Sequence, residues 1–264
     1  VLFIDTAIRE GLMKKSLENL SKMEYPGRVI IIGLDMSGEK SAVVYAITGR
    51  SPSSQARRLV LDGDTIWTMP TDEEVLKKGK PDLLIYPAIS ISGGIAVSNG
   101  KQTSDIRRYF RQSPNPVEVL RLALKKWNYE PDSPNFTPRI SGCVLARDKA
   151  ALSIIKRGQD GSTERNFFEV AMTCGKGRMI TTYSGENREP LQAFGGEPLD
   201  LELQEKTAKK MAEAVYEVLR PKDLGKDFRV AVACVFTRNL DLNEYDYWII
   251  NKQERMETRN GKTR

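Results

Sequence analysis

The feature that most constrains the fold is a run of short β-rich segments, each joined to the next by a tight turn. Arg28–Gly33 reads as a buried strand, Asp35–Lys40 as a turn containing Gly38, and Ala42–Thr48 as the returning strand. Arg58–Leu61 and Thr65–Thr68 flank an Asp62-Gly63 turn, and Leu83–Ile91 and Ile95–Ser98 flank Gly93-Gly94. After a proline-rich loop at 131–138 the style resumes, with strands predicted at Ile140–Ala146, Leu152–Lys156, Phe167–Thr173 and Met179–Tyr183, and β-rich segments at Arg229–Phe236 and Tyr245–Ile250. Single strands do not alternate with helices, so a doubly wound parallel sheet is excluded.

Helical spacing is confined to a few stretches. Ile8, Leu12, Leu17 and Leu20 predict a leading helix over 6–22, capped by Asp5 or Thr6. Thr103–Arg111 reads as a short helix, and Val117–Trp127 as a longer one entered through Asn115 and Pro116. Leu201–Leu219 carries Ala208, Met211, Ala212, Val215 and Leu219 on one stripe. Many strands in two groups with few helices predict an α+β architecture of packed sheets covered by helices. With no internal repeat, residues 1–264 read as one domain, with 1–24 as a leading helical extension and 251–264 as a polar tail.

The chain contains no histidine. Acid-base chemistry must therefore come from carboxylates, tyrosine, lysine or cysteine, which excludes histidine-based triads and histidine-ligated metals. Cys143, Cys174 and Cys234 are far apart and form no CxxC pair, so no zinc site, disulfide framework or cofactor is expected. Lys and Arg outnumber Asp and Glu by 41 to 35, but the two signs are interspersed. That balance suits a small phosphorylated ligand as well as it suits nucleic acid. No apolar run is long enough to cross a bilayer, and a cytoplasmic, membrane-free protein is expected.

Four segments carry candidate chemistry. Gly33-Leu-Asp-Met-Ser-Gly38-Glu-Lys40-Ser41 approximates a phosphate-binding P-loop but is one residue too long and is followed by a strand, so an ordinary hairpin turn is the better reading. Arg50, Arg57 and Arg58 surround Ser51, Ser53 and Ser54, a loop rich in donors for phosphate oxygens that also reads as a solvated basic loop. Ser98-Asn99-Gly100 ends a strand just before Thr103 and Asp105 at a helix start, where backbone amides attract anions or simply form a capped turn. Glu130, after a helix and near Arg139, is a candidate general base or a solvated charge.

Read together, these segments resemble the archaeal-type IMP cyclohydrolases in order and spacing. The matching pieces are Tyr25-Pro-Gly27-Arg28, Val44-Tyr45 followed by Arg50-Ser51, Tyr86 in Leu84-Ile-Tyr-Pro, Val97-Ser-Asn-Gly100 with Thr103 and Asp105, Tyr129-Glu130, and Thr137-Pro-Arg139-Ile140. The match covers roughly residues 25–145. It implies a four-layer αββα sandwich like that of amino-terminal-nucleophile hydrolases, and closure of 5-formamidoimidazole-4-carboxamide ribonucleotide to inosine monophosphate with loss of water. In that setting Glu130 would take the amide proton, Tyr86 would donate to the formyl oxygen, and Arg28 or Arg50 would stabilise developing negative charge. Ser51, Arg57, Ser98, Asn99, Gly100, Thr103, Asp105 and Arg139 would hold the substrate. A purine nucleotide, not nucleic acid, is the expected partner, and self-association is left open. The sequence departs from the family at Gln102, where histidine is usual, and at Pro52, where an aromatic is usual. Two other readings compete: an amide hydrolase using Cys143, and a non-catalytic nucleotide or RNA binder using Tyr109, Phe110, Trp127 and Tyr129.

Overall fold

A computed structural model describes residues 17–72, 74, 85–221, 226–238 and 245–255. The first half runs α1 (Glu18–Ser21), β1 (Arg28–Leu34), β2 (Ser41–Thr48), α2 (Pro52–Gln55), β3 (Arg57–Asp62), β4 (Thr65–Pro70), β5 (Tyr86–Ile91), β6 (Ile95–Ser98), α3 (Gln102–Tyr109) and α4 (Pro116–Leu124). The second runs β7 (Arg139–Ala146), β8 (Lys149–Arg157), β9 (Thr163–Val170), β10 (Lys176–Thr181), β11 (Leu199–Glu202), α5 (Ala208–Val218), β12 (Arg229–Thr237) and β13 (Tyr245–Asn251). Two antiparallel sheets result, a six-stranded one ordered β11-β10-β1-β2-β12-β13 and a seven-stranded one ordered β3-β4-β5-β6-β7-β8-β9. The α+β expectation is met.

Strand alternation explains the packing, because successive side chains leave opposite faces of a sheet. From the six-stranded sheet, Ile30, Ile32, Val43, Tyr45 and Ile47 face Ile66, Ile89, Ile140, Leu152 and Tyr86 of the other sheet across one apolar core. Val29, Ile31, Val44, Val232 and Phe236 leave the opposite face and bury Met211, Ala212 and Val215 of α5. On the far side of the seven-stranded sheet, Ala96, Cys143, Ala151 and Ile155 meet Ile106 of α3 and Val119, Leu120 and Leu124 of α4. Central strands are thus apolar on both faces, and each fully buried Ile or Leu contributes roughly 1.5–3 kcal/mol. At Gly142 the sheets come so close that an added Cβ would sit 2.6 Å from Ile32 Cδ1.

The β1–β2 turn shows why the phosphate-loop reading fails. The Asp35 carboxylate accepts from the Glu39 and Lys40 amides, both at 3.1 Å, and from the Ser37 hydroxyl, so the donors an anion would need are already used. Asn115 caps α4 through the Val117 and Glu118 amides, with Pro116 in the first turn.

Several boundaries differ from those predicted. The helix expected over Leu201–Leu219 starts only at Ala208, where Thr207 accepts from the Lys210 amide; the preceding residues pair as β11 with β10, burying Leu201 and Leu203. β9 begins at Thr163, because its polar first half pairs with β8, and ends at Val170. β10 begins at Lys176 and stops at Thr181. Of the leading helix predicted over 6–22, residues 6–16 lie outside the described residues, as do residues 83 and 84 and the tail from 256 onward. Among the described residues no helix is long and apolar enough to cross a membrane.

Candidate active site

Antiparallel order brings the start of β1, the start of β3, the start of β5, the end of β6 and the start of β7 to one end of the sheet pair. Two adjoining cavities open there. The larger, about 440 Å³, is walled by Arg28, Arg50, Ser51 and Arg57 on one side and by Glu130, Asp132, Thr137 and Tyr183 on the other. The smaller, about 250 Å³, holds Tyr86, Gly100, Lys101, Trp127 and Arg139. Asn99 and Glu130 border both.

The deepest feature spans the two sheets. Tyr45 from β2 and Tyr86 from β5 are buried, with their hydroxyl oxygens 2.8 Å apart. Burial pushes the Tyr86 hydroxyl up, but the charges of Arg28 and Arg57 and the bond to Tyr45 outweigh it and hold Tyr86 below the usual phenol range. Burial and the adjacent Tyr86 push Tyr45 well above that range. The opposed shifts make Tyr86 the group of the pair that parts more readily with its proton, while either oxygen can donate across the 2.8 Å contact.

Burial opposes the Arg28 charge, yet the facing hydroxyls of Tyr86 and Tyr45 more than restore it. Arg28 Nη1 donates to the Thr48 carbonyl (2.9 Å). Burial and the Arg28 charge pull Arg57 below the usual guanidinium range. The Nε–H groups of both arginines are buried without an acceptor among the described residues. Neither guanidinium has a carboxylate partner there, so this wall holds positive charge that an anion would neutralise.

Opposite lies a polar relay. Arg139 Nη1 reaches Glu130 Oε1 at 3.3 Å and Gln102 Oε1 at 3.4 Å, and Gln102 Nε2 donates to Asn99 Oδ1 at 3.1 Å. Asn99 is fixed in turn, donating to the Pro138 carbonyl and accepting from the Ile140 amide. The Arg139 guanidinium also lies 4.9 Å over the Trp127 ring. Burial pushes the Glu130 carboxyl up; Arg139 pulls against it, Asp132 adds to it, and the result stands above the usual carboxylate range.

Such a site offers one strengthened base, one strengthened acid and two buried guanidinium groups. The sequence itself matches the IMP cyclohydrolase-like protein family over residues 25–239. The chain belongs to that family. A curated relative, the IMP cyclohydrolase of Methanosphaera stadtmanae, is 29% identical over 132 residues, covering 50% of this chain and 63% of that protein. Among solved structures, Anbu from Hyphomicrobium sp. strain MC1 aligns over 89% of this chain and 92% of its own, with 9% identity and a TM-score of 0.32, too low to speak for the fold.

Within this family member, nine of the residues singled out from sequence gather around the two cavities: Arg28, Arg50, Ser51, Arg57, Tyr86, Asn99, Gly100, Glu130 and Arg139. Three line neither. Ser98 and Thr103 are buried and hydrogen-bond each other and the Gly100 carbonyl, and Asp105 accepts from the Trp127 indole (2.9 Å) and from Arg108 (3.2 Å). Arg50 is already engaged, donating to Asn187 (3.2 Å) and Glu189 (2.9 Å) and lying 5.1 Å over the Tyr25 ring. Ser51 caps α2 at the cavity mouth.

Sequence reasoning missed Tyr45, Asp132, Asn135, Tyr183, Glu189 and Leu191 as site residues. Tyr45 stood in a quoted motif and signalled nothing more than a strand. Asp132 accepts from the Thr137 hydroxyl and amide, and that hydroxyl meets the Tyr183 hydroxyl at 2.7 Å. Asn135 Oδ1 accepts from the Leu191 amide (2.9 Å), tying the two loops that rim the cavity.

The rival chemistries fare poorly. Cys143 is fully buried beneath α4, its thiol pushed up by burial, and it lines neither cavity. Tyr109, Phe110 and Trp127 pack against the helix core, and Tyr129 donates to the Gly161 carbonyl, so they do not form a free stacking face. Among the described residues, no group of three or more His, Cys, Asp and Glu is placed to hold a metal ion.

Proposed function

We propose that the chain closes the purine ring, converting 5-formamidoimidazole-4-carboxamide ribonucleotide to inosine monophosphate and water. The observation that carries this reading is the buried Tyr86, bracketed by Arg28 and Arg57 and sharing a cavity with Glu130. The carboxamide nitrogen is a poor nucleophile. A base that takes its proton as it attacks the formyl carbon, and an acid that quenches the alkoxide formed, supply what the reaction lacks. Glu130, a stronger base than an ordinary carboxylate, takes the amide proton. Tyr86, a stronger acid than an ordinary phenol, protonates the formyl oxygen, and Arg28 and Arg57 stabilise the tyrosinate left behind. Glu130 then returns its proton to the carbinolamine hydroxyl, which leaves as water, while the tyrosinate takes the proton of the former formamido nitrogen as the C=N bond forms, which resets both groups.

Arg50 and Ser51 would hold the ribose phosphate in the larger cavity, and the loop-bound carboxylates of Asp132 and Glu189 would accept from ribose hydroxyls. The partner on this reading is a mononucleotide, without nucleic acid, metal or cofactor. Helices on the outer faces of two stacked sheets also support the four-layer αββα plan of amino-terminal-nucleophile hydrolases. The test is turnover of the formamido nucleotide followed by product absorbance: it should be lost in Tyr86→Phe and Glu130→Gln, and undiminished turnover in both variants would rule the assignment out.

A further inference from the structure

A cavity larger than either of the two at this site lies away from them, on the outer face of the seven-stranded sheet. It measures about 610 Å³, against about 440 Å³ for the cavity of Arg28 and Glu130. Small-molecule sites fall in the range of roughly 300–1,000 Å³. Two apolar side chains sit side by side in the floor: Trp67 of β4 stands opposite Pro87 of β5, next to a β-bulge that shifts the register at Ile66/Trp67, with Thr65 and Ser90 beside them. Bulges of this kind re-aim side chains beside functional sites. Phe110 closes the far wall against Gly94.

The rim is cationic. Arg107 and Arg108 of α3 and Arg111 in the turn beyond it all border the cavity. Arg107 is committed, forking onto Asp64 (2.8 and 3.2 Å) and donating to Ser90 Oγ (3.0 Å). Arg108 makes one bond to Asp105 (3.2 Å) and is otherwise exposed, and Arg111 has no carboxylate partner among the described residues. Two guanidinium groups are thus available to one phosphate beside a planar platform, with the Ser92 and Ser104 hydroxyls between.

We infer that this cavity is a second nucleotide site: a purine nucleoside monophosphate stacks its base on Trp67 and Pro87 and sets its phosphate between Arg108 and Arg111. The site stands apart from the proposed ring closure, since none of its residues borders the other two cavities. It is nevertheless joined to that reaction through α3, whose first residue, Gln102, holds Asn99 and Arg139.

The chain has three tryptophans. A Trp127→Phe, Trp248→Phe protein therefore reports from Trp67 alone. Inosine monophosphate should quench this fluorescence saturably, and Arg108→Glu, Arg111→Glu in the same background should weaken the binding roughly tenfold or more. In the unsubstituted chain, equilibrium dialysis should count one more equivalent of nucleotide than in the charge-reversed chain. That difference does not depend on what the ring-closing cavity binds. Turnover of Arg108→Glu, Arg111→Glu made in the chain that keeps all three tryptophans, without added ligand, should stay within about twofold of the parent, as neither arginine borders the ring-closing cavities. No saturable quenching up to about 10 mM, equal binding by the charge-reversed protein, or inorganic phosphate binding as tightly as the nucleotide would overturn the proposal.

Discussion

Tyr86→Phe removes one oxygen from the most enclosed part of the site, and its two consequences separate cleanly. The Tyr45 hydroxyl, buried and 2.8 Å from the lost oxygen, is left without its partner. Orphaning a buried hydroxyl costs about 1–3 kcal/mol, a loss that a domain stable by roughly 5–15 kcal/mol survives. The missing proton donor should lower kcat by about 10²- to 10⁴-fold with little change in KM, because the interaction is made in the transition state. Tyr45→Phe, Tyr86→Phe removes both partners and should recover most of the lost stability without recovering turnover. Urea midpoints measure the first effect and product absorbance the second. Turnover of Tyr86→Phe within about threefold of the parent would refute the acid role, and a double variant destabilised by the sum of the singles would refute the tyrosine pair.

The rate should follow a bell in pH, rising as Glu130 ionises above the usual carboxylate range and falling as Tyr86 ionises below the usual phenol range; Glu130→Gln should abolish the acid limb and Tyr86→Phe the alkaline one. Burial raises the folded-state pKa of Glu130, so its protonated form is favoured by folding and that stabilisation is lost as pH rises through the folded value. Glu130→Gln should therefore melt higher than the parent at neutral pH, with the gap closing toward acid. A thiol-blocking reagent on the native protein should modify exposed Cys174, spare buried Cys143 and Cys234, and leave turnover intact, as mass spectrometry and the same assay would show. Gly33→Ala should destabilise by about 1–3 kcal/mol or more in urea unfolding, since its Cβ would lie 2.2 Å from the Lys176 carbonyl oxygen, which is backbone and cannot turn aside.

The hairpins were legible because their turns are written locally: Asp35, Gly63 and Gly93 punctuate strands whose apolar runs end beside them. Leu201–Leu219 misled because Leu201 stands in line with a helical stripe on paper while pairing as part of an edge strand in space, a tertiary contact no local period contains. Candidate residues from the first half converged because each begins a strand, or lies in a loop entering or leaving one, at the same end of the sheet pair. Ser98, Thr103 and Asp105 line neither cavity for a physical reason: polar groups at a strand-to-helix turn find partners close by, Ser98 and Thr103 in each other and Asp105 in the Trp127 indole. Tyr183, Glu189 and Leu191 carried no legible signal, as their place in the cavity depends on β10 lying beside β1.

Because Tyr45 and Tyr86 rise from different sheets, the contact between their oxygens doubles as a gauge of the gap separating the two layers. Slippage there would break the hydroxyl contact and draw Arg28, which rises from the same sheet as Tyr45, away from Tyr86, weakening two of the influences that hold its pKa down before any strand came apart. Warming or pressure should therefore silence such a catalyst while its β-structure still looks intact, and mutations in the apolar filling far from the pocket should register first in turnover and only later in melting.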